Sequence, residues 1–344
     1  MPNHALLLIN LGSPKSPAVV DVKAYLKQFL MDPYVIDLPW PIRKLLVAMI
    51  LIKRPEASAH AYQSIWWKDG SPLIVLSQRL QKTMGLHWQH GPVALAMRYG
   101  QPSIESVLLD LRERGVDQVT IAPLYPQFAD STITTALEEV KRVVKASRLE
   151  FKFKLLDPFY NEPRYIQALV GSAQEVMKQG FDHLLFSFHG VPERHIHKLV
   201  KDKQHNLQAA HSGEINSEYM DVCYRTQCLK TAELFAEQAG LARDKWSVSF
   251  QSRLGKTKWI EPYTDVHLTK LAAQGVKRLL VMSPAFVADC LETLEEIGIR
   301  GREQFLNEGG TSFELIPCLN DTPSWVVALN QLCQPEQTKP FLID

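Results

Sequence analysis

The sequence predicts an α/β protein made of two doubly wound parallel-sheet domains that share one plan, and three observations predict it. Its 344 residues are about twice what one hydrophobic core usually serves. Apolar runs of strand length alternate with stretches of helical length, the pattern of parallel strands covered on both faces. The second half of the chain also repeats the order of the first.

The repeat can be followed element by element. Leu6 to Ile9 runs into Gly12, Ser13 and Pro14, and Leu184 to Phe188 runs into Gly190, Val191 and Pro192. Each is an apolar strand closed by a Gly-X-Pro turn. A helix from Ser77 to Gly85 parallels one from Thr226 to Gly240, both amphipathic and both expected to stop at glycine. Met97-Arg98-Tyr99-Gly100 is then set against Ser252-Arg253-Leu254-Gly255, each closing a strand, before helices that end at Gly115 and Gly275. Val119 to Pro123 matches Leu279 to Pro284, and both lead through an Ala-Asp pair into a helix. The order predicts two Rossmann-like domains, 1–156 and 157–318, with Asp157 to Pro163 as linker and 319–344 returning to the first.

Composition excludes several classes of function. Basic and acidic side chains number 38 and 37, for a net charge of +1, so no sequence-wide field draws in nucleic acid. Cysteines at 223, 228, 290, 318 and 333 are odd in number and lack the C-x-x-C spacing of zinc and redox sites. That favours free thiols in a reducing compartment, the cytoplasm. The N-terminus has no basic region and does not read as a secretory signal, which weighs against an exported two-lobed binding protein. The longest later apolar run, Leu45 to Ile52, falls short of the roughly 20 residues that span a bilayer. Neither half carries Gly-X-Gly-X-X-Gly after its first strand, which argues against a dinucleotide cofactor and an oxidoreductase.

Chemistry is expected where the halves differ, at the carboxyl ends of the strands, where open α/β sheets bind ligands. These ends are Leu11 to Pro14, Arg98, Pro123, His189, Arg253 and Pro284, the expected lining of a cleft. Leu11 in the first half is His189 in the second. An imidazole there suits proton acceptance or metal binding, or it caps the turn into Pro192. Ala129-Asp-Ser-Thr-Ile-Thr becomes Ala288-Asp-Cys-Leu-Glu-Thr, so Glu292 stands where the first half is neutral. On a helix starting near Asp289, the carboxylates of Asp289, Glu292 and Glu296 would share one face; ordinary solvation of an acidic first turn is the other reading. A base and carboxylates about a cleft suit insertion of a divalent metal into a macrocycle, which must also carry away two pyrrole protons. His195 and His197 are expected on a solvated loop or helix. Histidines ligating from there would instead suit a chelatase of cobalt or nickel.

The segments FSFHGVPE, FQSRLGKTKWIEPYTD and SPAFVADCLETLEEIG resemble the ferrochelatase family closely and in its order. INLGSP, KRP and DGSP between 53 and 72, MRYG at 97 and PLYPQF at 123 extend the resemblance over nearly the whole chain. It implies a chelatase-like fold and a lyase that inserts ferrous iron into protoporphyrin IX to form protoheme, the last step of heme biosynthesis. His189 would then accept a pyrrole proton or bind the metal, with Glu292 as its partner and Glu296 and Asp289 as a relay. Arg98, Tyr99, Arg54, Ser71 and Leu11 would contact the porphyrin. No cofactor would be bound permanently, since iron is a substrate.

Four places depart from relatives. Cys290 replaces a histidine found in many of them, Arg300 ends the carboxylate line, and Cys333 offers no partner cysteines for an iron-sulfur cluster. Leu11 stands where relatives acting on coproporphyrin carry tyrosine, which favours the vinyl-bearing substrate. The stretch 38–55 would be a lip over the porphyrin, or else a helix packed into the first core. If it is exposed, its basic flanks, Arg43 and Lys44 among them, would let it rest on a membrane surface.

Overall fold

The computed structural model describes residues 3–201, 205, 207–209, 211–255 and 257–343. Strands in chain order are β1 His4–Gly12, β2 Val93–Tyr99, β3 Gln118–Pro123, β4 Lys152–Leu155, β5 His183–His189, β6 Trp246–Gln251, β7 Arg278–Met282, β8 Ser312–Leu315 and β9 Lys339–Phe341. One sheet has the order β2-β1-β3-β4-β9 and the other β6-β5-β7-β8. Every pairing is parallel except β9 on β4. Within each half the order is second, first, third, fourth, so the expected duplicated α/β architecture is present. The chain divides into one compact unit of Met1–Tyr125, Asp130–Asp157 and Asp321–Asp344, and a second of Pro126–Ala129 and Pro158–Asn320.

The first strand of each half is central in its sheet, which explains its unbroken apolar run. Leu6 to Ile9 and Leu184 to Phe186 are wholly buried. The two cores repeat as well: Leu7, Leu108, Ile121 and Phe153 in the first unit have counterparts in Leu185, Leu268, Val281 and Phe313 in the second. Burying each such side chain contributes about 1.5–3 kcal/mol.

A further repeat escaped the sequence reading. The helix Pro163–Lys178 follows β4 and Pro323–Leu332 follows β8, each with proline at its start. The former packs on Tyr224–Gln238 in the second unit and the latter on Pro72–His87 in the first. The C-terminal helix thus supplies the first unit with the layer that Pro163–Lys178 gives the second.

Two expectations need correction. Gly85 lies inside the helix Pro72–His87 and does not end it. The chain turns instead at Trp88, whose buried indole Nε1 donates to the His4 carbonyl at 3.1 Å, whereas Gly240, at φ +66°, does follow its helix. Strand register also shifts one equivalence. Met97 donates to the Pro102 carbonyl at 2.7 Å as Phe250 donates to that of Pro262 at 2.8 Å, so Arg98 corresponds to Gln251 and Tyr99 to Ser252, not to Arg253 and Leu254.

The stretch 38–55 falls largely in a 26-residue helix, Trp40–Ile65, with some residues packed into a core and others exposed. Val47 and Leu51 pack with Leu30 and Ile36, while Trp40, Ile42, Leu45, Met49 and Ile52 are exposed. Arg43 is not one of its surface cations: it is buried, and its Nη1 donates to the Ile36 and Leu38 carbonyls at 3.2 and 3.1 Å. Among the described residues no helix is long and apolar enough to cross a membrane.

Candidate active site

In the second unit, β5 delivers His189 to the end of its sheet, half-buried. The next residue must be glycine on steric grounds, because a Cβ at Gly190 would lie 2.9 Å from the Gln251 carbonyl oxygen. His189 Nδ1 sits 2.6 Å from the Gly190 carbonyl. A carbonyl only accepts, so Nδ1 carries a proton, and whenever the ring is neutral its lone pair is on Nε2. Tyr224 OH donates to the His189 carbonyl at 2.8 Å and steadies the backbone. Trp259 and Phe286 flank the imidazole at ring-centre distances of 6.4 and 6.3 Å.

Glu292 and Glu296 lie on a π-helix, Glu292–Gly301, rather than on the expected α-helix. Bonding from i to i+5 widens the turn, and such turns are frequent at functional sites. Both glutamates are half-buried. Glu296 is held by Ser252, whose N–H donates at 2.9 Å and whose Oγ donates at 2.5 Å. Ser252 adopts φ +68° to do so, a left-handed conformation costing a non-glycine residue about 1–3 kcal/mol. Burial raises the proton affinity of Glu296; the Ser252 hydrogen bond and the charge of His189 lower it, and that of Glu292 raises it again. Arg300, next on the line, is exposed and pairs with Glu295 at 2.8 Å.

Asp289 does not belong to this line. It is buried, accepting from Thr293 Oγ1 at 3.0 Å and Asn320 Nδ2 at 2.8 Å. Thr134 bonds Asp130 in the same way, at 2.7 Å, so the aspartate belongs to the duplicated scaffold and closes the helix start. Cys290 is also buried, and burial followed by the charge of Glu292 pushes its thiol well up. His197 is exposed as expected, but His195 is buried.

In the first unit Arg98 and Tyr99 converge on Asp32, a side chain with 1% exposure. Asp32 Oδ2 pairs with Arg98 Nη2 and accepts from Tyr99 OH at 2.9 Å and Thr135 Oγ1 at 2.5 Å. Tyr99 is wholly buried, so it supports Arg98 rather than offering a surface to a ligand. Leu11 is half-buried at the end of β1. Arg54 is exposed beside a groove of about 440 Å³ lined by Met49, Ile50, Ile52, Lys53 and Ala57. Ser71 is buried and accepts from Ser13 Oγ at 2.7 Å; neither Arg54 nor Ser71 joins the Asp32 cluster.

Sequence reasoning missed Trp259, Phe286, Tyr224, Gln251 and Ser252. All but Tyr224 follow or end a strand at the ligand-binding end of its sheet, which was the available signal. Tyr224 acts from a helix, and nothing in its local sequence marks it. Among the described residues no group of three or more His, Cys, Asp or Glu side chains gathers as a metal cage.

The family model for ferrochelatase matches residues 3–337. A ferrochelatase of Pseudomonas aeruginosa (strain UCBPP-PA14) is 66% identical over 332 residues, covering 96% of this chain and 98% of that protein. One of Ectopseudomonas mendocina (strain ymp) is 65% identical over 335 residues, covering 97% and 98%. Among solved structures, SirB from Bacillus subtilis with Fe3+ matches at a TM-score of 0.55 and 10% identity, covering 97% of this chain and 96% of that one. That last likeness concerns the fold alone.

Proposed function

The chain belongs to the ferrochelatase family and, as a lyase-class metal chelatase, inserts ferrous iron into protoporphyrin to make heme in the last step of heme biosynthesis; from that premise we propose how its own residues act. His189 Nε2 takes a pyrrole proton from protoporphyrin IX, and Glu292 is the carboxylate that meets the incoming metal. Losing two pyrrole protons as one divalent ion enters balances the charge. Glu296 follows Glu292 as a second proton acceptor, its affinity raised by burial, and Asp289 has no place in the relay.

The observation that carries this reading is the Nδ1 contact to Gly190, which leaves Nε2 free to accept a proton. Trp259 and Phe286 supply apolar walls for a flat macrocycle. Arg98, Arg54 and Leu11 are porphyrin contacts, with Tyr99 and Ser71 positioning residues behind them. The units that carry these roles are Met1–Tyr125 with Asp130–Asp157 and Asp321–Asp344, and Pro126–Ala129 with Pro158–Asn320. No cofactor is held permanently, and the buried Cys333 ligates no cluster. Five buried free thiols favour the cytoplasm.

Anaerobic turnover of protoporphyrin IX with ferrous iron, followed by absorbance, tests the site. His189→Ala and Glu292→Gln are each expected to lose about 10²–10⁴-fold in rate, and folded variants with parent activity would misplace it. The exposed apolar ridge from Trp40 to Ile52, with Lys44 and Lys53, rests on an anionic bilayer. Sedimentation with anionic vesicles checks this: Ile52→Glu should release the protein, and unchanged binding would refute it.

A further inference from the structure

We propose that Gln251 is a positioning residue for metal insertion, the last link of a one-way hydrogen-bond chain that fixes the start of the Glu292–Gly301 helix; this rests on Glu292 being the metal-meeting carboxylate. Ser249, Thr264, Ser187 and Gln251 are buried at 4% exposure or less. Ser187 Oγ donates to Gln251 Oε1 at 2.7 Å. A hydroxyl has one proton to give, so in its 2.9 Å contact with Thr264 Ser187 accepts and Thr264 donates. Thr264 has then used its own proton, and in the 2.8 Å contact with Ser249 the donor is Ser249. With its oxygen occupied, the Gln251 amide turns its Nε2 outward, where it donates to the Glu292 carbonyl at 2.8 Å.

The direction is the same at every link, so each bond polarises the next. The chain ends on main chain rather than on a carboxylate, and what it sets is therefore where the backbone of Glu292 lies. The neighbouring Ser252 grips the Glu296 carboxylate. Two successive residues at the end of β6 thus hold both glutamates. In the first unit the residue at the equivalent strand position also bonds the following helix, where Arg98 Nε donates to the Thr135 carbonyl at 3.0 Å, two residues beyond the counterpart of Glu292. A grip rebuilt with different chemistry in each unit is a feature of the scaffold's working, not incidental core bonding.

The test measures kcat, KM and their pH dependence in Gln251→Leu and Gln251→Glu, with Glu292→Gln beside them. Gln251→Leu is expected to lose roughly ten- to a hundredfold in kcat, the scale set by small misplacements of a reacting group. Its KM for porphyrin should stay within about threefold, since substrate binding is not what the grip supplies. Gln251→Glu keeps the shape but donates only when protonated. Its kcat should rise as pH falls through a new ionisation that the parent lacks, which a merely structural role would not produce. Amide exchange in the first turn of Glu292–Gly301 should quicken in both variants. Parent kcat, pH profile and exchange in folded Gln251→Glu would overturn the proposal, and that variant decides the matter if Gln251→Leu does not fold. Parent activity in Glu292→Gln would instead defeat the underlying site assignment, whatever Gln251 does.

Discussion

The ends of β1 and β5 are the same place in two copies of one fold, yet they are equipped oppositely. At β1 the side chain is Leu11, and the ionisable groups nearby face inward, with Asp32 gathering Arg98, Tyr99 and Thr135 into a buried cluster. At β5 the side chain is His189, with an open Nε2, and the following helix carries Glu292 and Glu296 half-buried. The helix itself differs: a π-turn of Asp130–Thr134 passes into an α-helix in the first unit, while in the second the π-helix runs over ten residues, Glu292–Gly301. Duplication kept the packing and the Asp–Thr closure of the helix start. In the first unit the ionisable groups bond one another, while in the second His189, Glu292 and Glu296 remain half-buried.

This contrast can be broken in either unit. The largest stability effect belongs to the first: Asp32→Ala strands the largely buried Arg98 guanidinium and should destabilise by about 3–5 kcal/mol, read from denaturant unfolding; a change below about 1 kcal/mol would show that the cluster secures little. A smaller effect is expected for Ser252→Ala in the second unit. The Ser252 side-chain hydrogen bond opposes the burial that raises Glu296, so removing the hydroxyl leaves a higher proton affinity. The acid limb of the kcat profile should move to higher pH, and a shift the other way would refute the arrangement.

A third effect concerns the pH-dependent stability of the second unit. His183 and His267 share Ser247 at 2.7 and 2.8 Å, and burial lowers both from 6.5 to about 4. The unfolded chain then binds more protons between those values. Stability is complete above about pH 6.5 and is lost progressively as pH falls toward 4. Unfolding midpoints measured across that range should fall less in a His267→Gln variant than in the parent; equal slopes would remove His267 from the account.

The architecture was legible because duplication printed it twice. Leu6 to Ile9 and Leu184 to Phe186 read as buried strands since nothing polar interrupts them, and His189 and Glu292 stood out because Leu11 and a neutral stretch occupy their places in the other half. What could not be read was three-dimensional register. Arg98 looked equivalent to Arg253 in a four-letter match, yet the backbone bonds of Met97 and Phe250 align it with Gln251. Asp289 shared helical spacing with Glu292 and Glu296, but it lies before the helix and is occupied by Thr293 and Asn320. Gly85 resembled a stop signal, while the real stop is the indole of Trp88 on a strand 84 residues away in sequence. Local patterns do not reveal such distant partners.

Acceptance of a porphyrin proton by the free Nε2 of His189 is tested most directly by chemical rescue. His189→Ala should be nearly inactive in anaerobic heme formation, and added imidazole should restore part of the rate in proportion to its neutral form. Undiminished heme formation by the folded variant without imidazole would contradict the account.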